Sequence, residues 1–419
     1  MPETGRSCLA VVPLVMAYVT YPLSMTVARQ AEWALPRNWI DGFWLLWGLG
    51  CMFVVLARSH GGPRFSHART LLMLLLALAL LLRFGPIWFQ EGPELAAWLM
   101  ELKPFFYLAL AGLTIAAVGT PASRHFLHAA AALAGLVLLD LALSSLAAET
   151  VVRPQGSGEI NYDAALMLVG LCMGLGQRAP ALKALVLAGI LASMSRTTLL
   201  ATGLVVLTCW PGLSFPRRFV LSVALLAGII LAFSLRGLSG DGLSELDRYW
   251  MWSAGVDLLR DQPLQALVGF APGRALPVDV PAALWELWRD QARQTGAPGV
   301  HAYNFHSFWL RLAVSWGLTT MLAVLTLCLT LLRRSTHARG LGLLLLVQGL
   351  TMGLFYLSNV APVLLLALAE SCRSGPVLAW NDGTGRHGPA VKSQSCHVCR
   401  GCRRAGPGED GKGMQGVIA

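Results

Sequence analysis

The stretch HFLHAAAALAGLVLLDLALSSLA at residues 125–147 decides the fold. It runs for 23 residues with Asp140 as its one formally charged side chain. A helix needs about 20 mostly apolar residues to cross the hydrocarbon core of a bilayer. Working outward from it, the same reading assigns spans to 8–26, 39–57, 70–89 and 103–119 before it, and to 161–177, 180–195, 197–211 and 217–236 after it. Three more follow at 306–332, 340–357 and 359–372. The expected fold is therefore all-α: a polytopic integral membrane protein of about 12 transmembrane helices. Ten is the alternative, if 161–211 holds two long spans and 340–372 is one broken hairpin.

Composition excludes the competing classes. Of 419 residues, 55% are hydrophobic and 13% charged, about half the quarter expected of a soluble domain. Such a chain, if soluble, would expose more apolar surface than a monomer tolerates. A cytosolic enzyme, a nucleic-acid-binding module and a disordered protein are all ruled out. The net charge of +10 is explained by topology rather than by an anionic polymer.

Basic residues mark the side on which loops remain cytoplasmic. With the N-terminus inside, the inner loops 58–69, 120–124, 178–183, 212–218 and 333–339 hold eleven Lys and Arg and not one Asp or Glu. The short outer loops 27–38, 90–102 and 148–160 hold three, Arg29, Arg37 and Arg153, against six Glu. Both termini are expected in the cytoplasm. The apolar run at 8–26 exceeds the roughly 7–15 residues of a signal-peptide core and reads as a retained span.

The domain reading is accordingly spans 1–9 over residues 1–236, an outer loop over 237–305, spans 10–12 over 306–372 and a disordered tail over 373–419. The loop, 69 residues between spans 9 and 10, is long enough to be expected to carry function. Ser244-Glu245-Leu246-Asp247 resembles a capping box, with helical periodicity to about Leu259. A second helix is expected from Pro281, with Leu284, Trp285, Leu287 and Trp288 on one face against membrane lipids or a packed cap.

Nine cysteines are present and none lies in the outer loop, so no disulfide framework is expected. Cys396, Cys399 and Cys402 in the tail lack a second ligand pair at zinc-ribbon distance. The chain has no P-loop, no H-E-x-x-H and no D-x-D, so no metal and no cofactor are expected. Arginine is the cation available to an anionic leaving group.

Three places can carry chemistry. Ser195-Arg196-Thr197 lies where two apolar stretches meet at the outer face; an arginine there faces an anion or polar cavity, or snorkels at a helix end. Arg248, in Asp247-Arg248-Tyr249-Trp250-Met251-Trp252, is placed in the first turn of the loop helix, where free backbone N–H groups and a guanidinium suit phosphate. Downstream, Pro263–Gly273 reads as a turn-rich stretch. Where the loop re-enters the membrane, His301 and His306 are both candidate general bases, since imidazole titrates near working pH.

Together these segments resemble the O-antigen ligase and polymerase superfamily. The likeness lies in the order S-R-T, then R-x-x-x-W (Arg248, Trp252), then P-x-x-x-x-x-G-x-x-x-G (Pro263, Gly269, Gly273), then H-x-x-x-L with a glycine eleven residues past the histidine (His306, Leu310, Gly317). It covers roughly residues 160–335. The family usually has Asn after the histidine, where this chain has Ser307; spacing to Leu310 and Gly317 favours His306 over His301.

The resemblance implies a metal-independent glycosyltransferase of the bacterial inner membrane with its site facing the periplasm. Its donor would be a glycan on undecaprenyl pyrophosphate, and a ligase's acceptor a sugar hydroxyl of lipid A–core. Arg196 and Arg248 would bind the pyrophosphate, with Arg83 and Lys103 extending the cationic lining, and His306 would take the acceptor's proton. A polymerase and a protein O-oligosaccharyltransferase share that donor. From a different class, a transporter or flippase would use Asp41 and Asp140 as intramembrane acids.

Overall fold

The computed structural model describes residues 9–36, 39–58, 95–212, 214–237, 242–270, 274–280 and 299–373, and of residues 58, 95–96, 229, 231–237 and 242–249 the backbone alone. The expected span at 70–89, Arg83, the helix from Pro281 and the cysteines of the tail lie outside the described residues. Within them the chain is helical with no strand.

Helix α1 (Val12–Val15) passes through a π-helical turn (Met16–Thr20) into α2 (Tyr21–Gln30). There follow α3 (Trp39–Arg58), α4 (Leu95–Val118), α5 (Ser123–Ala148), α6 (Ile160–Gly174), α7 (Pro180–Ala192), α8 (Arg196–Cys209) and α9 (Phe215–Gly237). The loop contributes α10 (Gly242–Asp261) and α11 (Pro263–Val268). The chain ends its described course with a 3₁₀ turn (Ala302–Asn304), α12 (Phe308–Leu332), α13 (Thr336–Gln348), a 3₁₀ turn (Leu354–Tyr356) and α14 (Ala361–Arg373).

Four of these are long and apolar enough to cross a membrane: Trp39–Ala57, Ala97–Val118, Ser123–Ala148 and Phe308–Leu332. The protein is a helical membrane protein. Residues 160–209 form three separate helices, α6, α7 and α8, of 15, 13 and 14 residues, each shorter than the about 20 residues of a full crossing. Residues 340–357 do not form one helix: α13 stops at Gln348 and a turn leads to the 3₁₀ residues. The indole of Trp309 packs where a side chain at Gly349 would stand, and this close packing shapes the turn.

Helix α6 is the hub, with thirteen of its fifteen residues buried. Its neighbours approach closely because the contacts are made by small residues, as in membrane bundles generally. A Cβ on Gly170 would collide with Ala130 and with the Phe126 carbonyl at 2.7 Å, one on Gly174 would meet Leu127, and one on Gly189 of α7 would stand 2.6 Å from Ala134. A second, smaller core holds the loop onto α12 and is built from Met251, Leu258, Phe270, Leu276, Val300, Phe305, Leu310 and Val314.

Two acids within the apolar helices, Asp41 and Asp140, are held in ion pairs, whereas the fully buried Asp163 of α6 accepts hydrogen bonds from Ser157. Asp41 accepts from Lys103 Nζ at 2.9 Å and Tyr107 at 2.8 Å. Asp140 faces Arg29 at 3.3 Å and accepts from the N–H groups of Gln155 and Gly156 at 3.0 Å each.

Candidate functional site

Arg196 is the first residue of α8, and Ser195 precedes it in extended conformation. The sharp entry requires Met194 at φ 51°, a conformation rare for a side-chain-bearing residue. Ser193 Oγ donates to the Ile190 carbonyl at 2.6 Å and accepts from the Ser195 N–H at 3.3 Å, which ties the turn down. Arg153, counted from sequence as one of the outer-loop bases, reaches the same turn: its Nε donates to the Ser193 carbonyl at 3.1 Å and its Nη2 to Asn161 at 2.8 Å. Arg153 was missed as a site residue because 40 residues separate it from Ser193; no local pattern encodes that pairing.

The turn after α13 holds two of the expected segments on one frame. On one side, Gln348 donates to Thr198 Oγ1 at 2.7 Å and Thr351 to Thr197 Oγ1 at 2.9 Å. On the other, Ser307 Oγ donates to the Gly349 carbonyl at 3.1 Å, and the N–H groups of Phe308 and Trp309 donate to Met352 and Gly349 carbonyls at 3.0 and 3.3 Å. Arg196 and His306 are each one residue from a side chain anchored to this turn.

Ser307 has a local role as well. It caps α12, its Oγ accepting from the Leu310 N–H at 3.2 Å. His306, just before the cap, is exposed, whereas His301 is buried, 1% accessible. The His301 ring stacks on Tyr303 with ring centroids 5.3 Å apart, and the His301 backbone N–H donates to Asn304 Oδ1 at 2.7 Å. The two histidines thus differ sharply: one packs, the other faces outward.

The H-x-x-x-L…G spacing proves to be a docking register. Leu310 fills the space left by Gly255 of α10, whose Cβ would stand 2.9 Å from both Leu310 methyl carbons. Gly317 breaks α12 at φ 85° and receives the end of α11: Thr319 Oγ1 donates to the Leu267 carbonyl at 2.9 Å and the Phe270 N–H to the Val314 carbonyl at 2.7 Å.

Three expectations change. Arg248 does not lie in the first turn of its helix, because α10 begins at Gly242, ahead of Ser244; its own N–H is inside the helical ladder rather than among the free donors of the terminus. Pro263–Val268 is a short helix rather than open turn, since Pro263 occupies a first-turn position and Gly269, at φ 86°, ends it. Lys103 is committed to Asp41 and to Ser358 Oγ at 3.2 Å, an internal ion pair rather than an open cationic lining.

One buried pair had no local signal. Arg311, 5% accessible, donates Nε to Glu101 at 3.0 Å and Nη2 to the Met100 carbonyl at 3.0 Å, with its guanidinium carbon 3.3 Å from the Tyr356 ring centroid. It pins α12 to α4 five residues below His306. Among the described residues, no group of three His, Cys, Asp or Glu is placed to hold a metal ion. The chain matches no family model, no curated protein and no solved structure.

Proposed function

We propose that this protein is an O-antigen ligase, a metal-independent inverting glycosyltransferase of the bacterial inner membrane. The carrying observation is the shared frame at residues 348–352, which anchors the Arg196 helix start and the His306 segment to one turn. An arginine at a helix start and an outward-facing imidazole joined by a rigid turn suit in-line transfer from an anionic lipid carrier.

In this reading Arg196, the α8 N-terminus and Arg248 bind the pyrophosphate of an undecaprenyl-linked glycan. A sugar hydroxyl of lipid A–core attacks the anomeric carbon, and its proton passes to His306. The bond from that carbon to the pyrophosphate breaks with inversion. The bonding pair leaves on undecaprenyl pyrophosphate, whose charge the arginines stabilise where other transferases use a metal. Twelve spans, cytoplasmic termini and a periplasmic site belong to the same proposal.

A growing glycan or a protein hydroxyl as acceptor would make the chain a polymerase or a protein O-oligosaccharyltransferase with the same donor. The transporter reading is less favoured because Asp41 and Asp140 are held in ion pairs. The deciding experiment supplies purified protein in proteoliposomes with lipid-pyrophosphate-linked glycan and lipid A–core, without ATP. Glycosylated lipid A–core supports the ligase; elongated donor glycan supports the polymerase; no transfer to any acceptor removes the proposal.

A further inference from the structure

Helix α11 carries an apolar face on the outside of the protein. Leu264 is 81% accessible, Val268 64% and Leu267 47%. Three large aliphatic side chains exposed within one six-residue helix would be costly in water, at roughly 1.5–3 kcal/mol for each that is buried elsewhere. Depth resolves the cost.

Helix α12 ends at Leu332, followed by exposed Arg333 and Arg334, the kind of residue that marks a membrane boundary. The unbroken part of α12, from Leu318 to Leu332, rises about 21 Å at 1.5 Å per residue, so in a hydrocarbon core about 30 Å thick the opposite boundary lies beyond the Gly317 break. The accessibility of α12 agrees: residues 308–315 are encased by protein, and exposed positions such as Leu322, Leu327 and Leu329 begin only from Thr319 onward. The end of α11 is bonded to α12 at Gly317–Thr319, about 20–22 Å from the Leu332 end and so roughly 8–10 Å inside that boundary.

Backbone at such depth must satisfy its own polar groups. At the end of α11 that docks on α12, the Leu267 carbonyl accepts from Thr319, the Gly269 N–H donates to the Gln265 carbonyl at 2.7 Å, and the Phe270 N–H donates to the Val314 carbonyl.

We infer that α11 is a re-entrant element seated in the leaflet on the loop side, with Leu264, Leu267 and Val268 forming a contact surface for lipid acyl chains. The long loop is then anchored in the bilayer by its own middle, not only by the spans at its ends. This depends on the membrane fold alone and stands apart from the proposed transfer reaction.

The test places the photoreactive residue p-benzoyl-phenylalanine at Leu264, Val268 or, as the aqueous control, exposed Asp257 of α10, in the full chain. Each variant is reconstituted in vesicles of phosphatidylethanolamine and phosphatidylglycerol and irradiated. Lipid adducts at 264 and 268 severalfold above those at 257 are expected. Adducts at 264 and 268 no more abundant than at 257, or cross-links to a second copy of the chain in place of lipid, overturn the inference. The two probe positions keep a single misfolded variant from deciding the result.

Discussion

Gly269 and Gly317 each have a positive φ with an extended ψ, and a side chain on either would strike the backbone segment that carries the other. A Cβ on Gly269 would stand 2.6 Å from the Ser315 carbonyl oxygen and 2.7 Å from the Gly317 nitrogen, and one on Gly317 would collide with the Leu267 carbonyl. Forty-eight positions apart in sequence, they make one joint that fixes the loop on α12.

Gly269→Ala and Gly317→Ala should therefore each lower stability, by about 1–3 kcal/mol for the backbone conformation alone and more for the collision. Gly112→Ala is the contrast: that helical glycine has nothing within 4 Å of a new Cβ, and alanine should match or raise stability by up to about 1 kcal/mol. Thermal melting in detergent reads both. Equal melting temperatures for the Gly317→Ala protein and its parent would show the joint to be slack.

The Arg311–Glu101 pair predicts strong non-additivity. Removing one partner leaves a buried charge, so Arg311→Met or Glu101→Gln should each cost roughly 3–5 kcal/mol, whereas replacing both with apolar residues should restore much of the loss. A double-mutant cycle followed by denaturation checks this. Additive losses would mean that the two charges are solvated independently.

Legibility varied with the range of the interactions. Helices at 39–58, 123–148 and 215–237 were readable because apolar runs report burial locally, and the glycine and leucine spacings of the loop and its re-entry were readable as a pattern. Their meaning was not: the spacing of Leu310 and Gly317 records docking against Gly255, Leu267 and Gly269, which no one-dimensional pattern states. Helix α11 had an overlooked local signal, proline at its start and glycine at its end. The pairings of Lys103 with Asp41, Arg311 with Glu101 and Arg153 with Ser193 join residues 62, 210 and 40 positions apart, beyond any periodicity.

If Arg248 binds the donor as proposed, it should matter for affinity as well as rate, since charge-assisted contacts to pyrophosphate would act before and during transfer. Arg248→Ala should weaken donor binding, and Arg248→Lys should restore it only in part, because an ammonium lacks the bidentate fork. Titration with lipid-pyrophosphate-linked glycan measures this. Full binding by the alanine variant would take Arg248 out of the site.

Transfer should persist in EDTA, because in the proposed mechanism arginines take the part of the cation. Loss on chelation with recovery in magnesium or manganese would replace the arginine clamp by a metal mechanism.

The most direct test of the central claim compares the two histidines in the reconstituted transfer assay. His306→Ala should cut the transfer rate by roughly 10²–10⁴-fold, the usual contribution of a general base, with donor binding little changed. His301→Gln, chosen to keep a polar side chain of similar size in that buried place, should stay near the parent rate. Transfer lost in the folded His301 variant but kept in His306→Ala would contradict the account and move the base five residues earlier.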